Sequence, residues 1–174
     1  VNTTTGDIAT LKAGLVTYIN QGNNTTSGSI AALPASLKTF TTVGVNTTSG
    51  SIASLPAGLT SYTNQGNNTT SGSVGSLPAG LVTYMNIGQN TTSGDVATLP
   101  ATLTTFRTSG PTSVTVTGTY TPPAGLLTFH LFPTTGGTAL SAAAVDAILV
   151  AINGLGTSNG GTVSPDIDLR GLNP

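Results

Sequence analysis

The chain has no cysteine, no tryptophan and no glutamate, and only one histidine and one methionine. The lack of cysteine excludes disulfide staples and thiolate metal sites and leaves the redox compartment open. Charge is scarce: Lys12, Lys38, Arg107 and Arg170 stand against Asp7, Asp95, Asp146, Asp166 and Asp168, a net charge of −1 over 174 residues. Phosphate binding needs clustered Lys and Arg, so four scattered cations argue against a nucleic-acid partner and against steering to an anionic membrane surface. No run of about 18 apolar residues occurs, so no segment is expected to span a bilayer.

What the chain does have is a period. Glycine falls at Gly6, Gly28, Gly50, Gly72 and Gly94, each 22 residues after the last. Ile8, Ile30, Ile52, Val74 and Val96 keep the same step, as do Leu11, Leu33, Leu55, Leu77 and Leu99, then Leu15, Leu37, Leu59, Leu81 and Leu103. Tyr18, Phe40, Tyr62, Tyr84 and Phe106 close each set before a second glycine at Gly22, Gly44, Gly66, Gly88 and Gly110. High Thr, Asn, Ser and Gly is the composition of disorder or of a stalk, but a disordered tract has no reason to hold apolar residues at fixed phase. The repeat therefore predicts stacked coils that bury a shared core. Within each coil the β-branched and aromatic stretch Leu15–Asn20 and its equivalents reads as a short strand ended by the Gly22 turn. Pro34, Pro56, Pro78 and Pro100 cannot donate to a ladder, which places the Leu-Pro-Ala step outside the sheet. Strand parity puts the aromatic at position 18 and the polar residue at position 20 (Asn20, Thr42, Asn64, Asn86) inside, where amides bonding their equivalents one coil away would satisfy them.

The run Leu15-x-x-Tyr18-x-Asn20-x-x-Asn23-x-Thr25, followed by Ser27-Gly28-x-Ile30-x-x-Leu33-Pro34-x-x-Leu37, resembles a short leucine-rich repeat in which Tyr, Asn and Thr replace several leucines. The resemblance covers residues 1 to about 110. With its Leu-Pro-Ala-Gly-Leu and Asn-Thr-Thr-Ser-Gly units and a closing helical segment, the chain also resembles leucine-rich-repeat proteins of phages and Bacteroidetes-type bacteria. The expected fold is mainly β, a parallel solenoid of five leucine-rich-repeat-like 22-residue coils over residues 1–110 with a C-terminal strand-helix-strand cap over 111–174. In that cap, strands are expected at Ser113–Tyr120, Leu126–Phe132 and Ile167–Leu169. A helix from an N-cap at Ser141 to about Leu155 carries Val145, Ile148, Leu149 and Ile152 at helical spacing, with Asp146 in its first turns.

Chemistry has little to work with. A hydrolytic triad needs a nucleophile, base and orienter, and the sole histidine, His130, alternates with Phe129, Leu131 and Phe132 in a strand, the setting of a structural residue. Asp166 and Asp168 flank Ile167 on one strand face, too few carboxylates for a calcium site and better read as solvated or paired with Arg170. No phosphate loop follows a strand. The expectation is no enzyme, no catalytic residue, no metal and no cofactor.

Two surface features remain. Asn-x-Thr sequons at Asn24, Asn46, Asn68 and Asn90, and also at Asn2, Asn23 and Asn67, are glycosylation acceptors if a eukaryotic secretory pathway makes the chain, and a by-product of the repeat if not. Between coils most columns are fixed while those at positions 16, 19 and 21 vary. By parity Thr17, Ile19, Gln21, Thr41, Val43, Thr63, Gln65, Met85, Ile87 and Arg107 share an outward face, either a recognition surface or neutral drift on a solvent face. The readings carried forward are a non-enzymatic structural or adhesive module of an extracellular or virion surface appendage, a glycan- or protein-binding surface receptor using that face, and a self-assembling filament subunit. Because Asn2-Thr3-Thr4 already stands in repeat phase, the chain reads as processed or as a piece of a longer one. Its first coil is then expected to be covered by more polypeptide, a symmetry mate or a fibre neighbour in a homo-oligomer or larger assembly.

Overall fold

A computed structural model describes residues 5–111, 113–116, 120–133, 141–158 and 166–168. Each coil makes two short strands, where the apolar pattern points to one. The first starts at the position expected: Thr17 opens β2 (Thr17–Ser29), Thr39 opens β3 (Thr39–Ser51), and β4 (Ser61–Gln65), β6 (Thr83–Ile87) and β8 (Thr105–Gly110) follow at the same phase. The second lies in the polar Asn-Thr-Thr-Ser-Gly step: β1 (Thr5–Asp7), the far halves of β2 and β3, β5 (Thr69–Ser73), β7 (Thr91–Asp95) and β9 (Ser113–Thr115). Its alternation is written in threonine, with Thr26, Thr48, Thr70 and Thr92 pointing inward, so hydrophobic periodicity does not reveal it.

All pairs are parallel and belong to one 11-stranded sheet that curls through 281°. On the first face residues pair 22 apart, as in Tyr62↔Tyr84; on the second they pair 20 apart, as in Gly72↔Thr92. This is a parallel β-solenoid.

The two corners of each coil have separate causes. At one, Asp7, Ser29, Ser51, Ser73 and Asp95 cap single 3-10 turns by accepting from the N–H two residues on, at 2.9–3.3 Å, and deliver Ile8, Ile30, Ile52, Val74 and Val96 to the core. At the next, Leu37 N–H reaches the Pro34 carbonyl at 3.0 Å, and Pro56, Pro78 and Pro100 repeat the turn, leaving the prolines off the ladder.

The ladder runs past residue 110, so the boundary expected there falls inside the sheet. Pro123–Leu126 forms the same turn, and β10 (Thr128–Pro133) pairs with β8, setting Phe129 beside Phe106. β11 (Asp166–Asp168) adds one more rung beside β10. The expected strand at 113–120 is shorter, ending at Thr115, and residue 169 lies outside the described residues. Helix α1 (Ala142–Ser158) starts as expected: Ser141 Oγ accepts from Ala144 N–H at 3.2 Å. It buries Ile148 and packs Ala144, Val145 and Ala151 against the core, but Leu149 faces solvent, because a single-sided helix turns only one stripe inward.

One glycine position is indispensable. Gly66 has φ +141°, and a Cβ there would land on the Gly44 carbonyl oxygen of the preceding coil and 2.6 Å from Asn46 Nδ2. Gly66→Ala is therefore expected to cost at least about 1–3 kcal/mol. Gly80→Ala, at an open site, is expected to stay within about 0.5 kcal/mol. Urea midpoints of the two variants check this.

Candidate functional site

The site is built from the inside of the coil outward. Tyr18, Phe40, Tyr62, Tyr84, Phe106 and Phe129 stack ring on ring with centroids 5.4–5.6 Å apart. Strand pairing fixes that separation near the inter-strand distance, and offset stacking makes it favourable. Beside the rings runs a polar ladder. Asn64 and Asn86 do not bond each other, contrary to the expectation of amides linking equivalents. Asn64 Nδ2 donates to Tyr62 Oη at 2.9 Å, and its Oδ1 accepts from Thr48 Oγ1 at 3.0 Å, across the interior. Asn86 repeats this with Tyr84 at 3.1 Å and Thr70 at 3.2 Å. The facing strands supply nearer partners than the next equivalent does.

The sequence carries a signal for this pairing: Tyr18, Tyr62 and Tyr84 are each followed two residues on by Asn, whereas Phe40 and Phe106 are followed by Thr42 and Thr108. Asn64 and Asn86 donate to the ring hydroxyl two residues before them, whereas in the first coil Asn20 Nδ2 and Tyr18 Oη both meet Thr26 Oγ1.

Burial raises the Tyr84 phenol to about 12, against the hydrogen bonds from Thr92 and Asn86 that pull the other way. Tyr62 and Tyr120 are pushed up for the same first reason. A raised folded-state value means the neutral phenol is favoured in the fold. The associated stability is complete below the unfolded value of about 10 and is lost as pH rises from there through about 12. In a Tyr18→Phe variant, whose remaining tyrosines are all buried, tyrosinate absorbance and loss of the strand circular dichroism signal are expected to rise together above about pH 10. Tyrosinate appearing first, with the fold intact, would refute the coupling.

The outward face follows the same register. Ile19, Thr41, Thr63, Met85 and Arg107 form one file across β2, β3, β4, β6 and β8, with Gln21, Val43, Gln65 and Ile87 in the next and Thr17 at the head of a third. The structure thus brings the whole candidate face together. Thr17, Ile19 and Gln21 are exposed, while the others are half-buried between neighbouring strands. Gln65 Nε2 contacts Met85 Sδ. Sequence reasoning stopped this face one rung short: His130 and Phe132 continue both files, signalled by Pro123-Ala124-Gly125-Leu126, which repeats the turn before every strand. His130 is buried, its ring edge-on to Phe132 at 5.5 Å, and it stands between Arg107 and Asp168 in register; Asp166 stands beside Thr128. Arg170 lies outside the described residues.

The sequon asparagines need a correction. Asn46, Asn68 and Asn90 are wholly buried and their amide nitrogens are donors to backbone carbonyls, Asn68 to Ile87 O at 2.9 Å and Asn90 to Asn86 O at 2.8 Å. Asn46 donates to Gln65 O. A glycan on any of these nitrogens has no room in this fold. Asn24 is half-exposed, with Nδ2 near Gln21 O at 3.5 Å.

Among the described residues no three of His, Cys, Asp and Glu gather to hold a metal, and no described helix is long and apolar enough to cross a membrane. No family model matches the sequence, and no curated protein or solved structure matches it. The repeat solenoid therefore stands on its own geometry.

Proposed function

We propose that this chain is a non-enzymatic structural or adhesive module of an extracellular or virion surface appendage. The observation that carries the reading is the continuity of the interior: ring stack, Asn/Thr ladder and parallel sheet each cross from coil to coil, so the buried polar groups bond neighbouring coils and stiffen the stack. The surface setting rests on the resemblance of the repeats to leucine-rich-repeat proteins of phages and Bacteroidetes-type bacteria. Immunogold labelling with an antibody raised against the chain is expected to decorate appendages outside the cell or on the virion. Label confined to the cytoplasm overturns the proposal.

A second reading, a receptor for a protein or glycan, is favoured by the contrast between the two sides of each first-face strand. Inward columns stay aromatic and Asn/Thr, while the outward files change from Ile19 to Thr41, Thr63, Met85 and Arg107. Binding of the chain to host-cell surfaces that is lost on substituting Met85 and Ile87 would favour the receptor; undiminished binding would remove it.

A further inference from the structure

We draw no further inference here: the strongest candidate, the outward face of the second strands, where Thr47, Ser49, Thr69, Ser71, Thr91 and Ser93 set exposed and half-buried hydroxyls in register from coil to coil, carries nothing because nothing in the structure shows what covers it.

Discussion

Replacing Tyr62 by alanine is expected to destabilise the chain by about 3–5 kcal/mol, against under about 0.5 for Thr63→Ala one residue later. Tyr62 is fully buried in the middle of the stack, 5.6 Å from both Phe40 and Tyr84, and truncation opens a ring-sized void that coils held by parallel ladders cannot close. Thr63 points the other way, onto the half-buried outer face. A milder series separates the ring from its hydroxyl. Tyr62→Phe keeps the stack but leaves Asn64 Nδ2 buried without its acceptor, a cost of about 1–3 kcal/mol. Adding Asn64→Thr recreates the Phe40 and Thr42 pairing of the coil before and is expected to recover most of that loss. Equal denaturation midpoints for Tyr62→Ala and Thr63→Ala would mean that the strand faces are assigned the wrong way round.

That assignment was legible in the sequence because Tyr18, Phe40, Tyr62, Tyr84 and Phe106 alternate in parity with the varying columns, and a parallel ladder with side-chain period 2 leaves no freedom once one face is fixed. The second strand of each coil was not legible by the same route. Its inward residues, Thr26, Thr48, Thr70 and Thr92, are polar, and hydrophobic periodicity is blind to a buried face satisfied by hydrogen bonds. Overlooking that strand is also why the asparagines before it read as surface sequons. The sixth coil was hidden by spacing: Phe129 stands 23 residues after Phe106, so a strict 22-residue count loses it, although Pro123 and Leu126 repeat the turn. On the helix, apolar residues at Leu149 and Ile148 look alike in sequence, and only the packed structure separates the core residue from the exposed one.

Asn68→Ala is expected to be nearly as damaging as loss of a ring, although asparagine is among the residues most often left at a surface. Asn68 Nδ2 donates to the Asn64 carbonyl at 3.1 Å within its own coil and to the Ile87 carbonyl at 2.9 Å in the next. It therefore closes the turn at Gly66 and ties two coils at once. Alanine strips the Asn64 carbonyl of this donor, leaves the Ile87 carbonyl with Gly66 N–H at 3.0 Å, and opens a buried void, at roughly 2–4 kcal/mol together. Asn67, its exposed neighbour, heads a sequon of its own, and Asn67→Ala is expected to stay within about 0.5 kcal/mol. Urea unfolding of the two variants reads the difference directly, with an unchanged slope showing that the same surface is exposed on unfolding. Expression in a glycosylating host adds an independent readout: folded protein is expected to carry no glycan on Asn46, Asn68 or Asn90, since the nitrogen a glycan would occupy is buried and bonded to a backbone carbonyl, in the next coil for Asn46 and Asn68 and in its own coil for Asn90. Folded chain glycosylated at Asn68, or matching midpoints for the two alanine variants, would show that the Asn ladder does not bind one coil to the next.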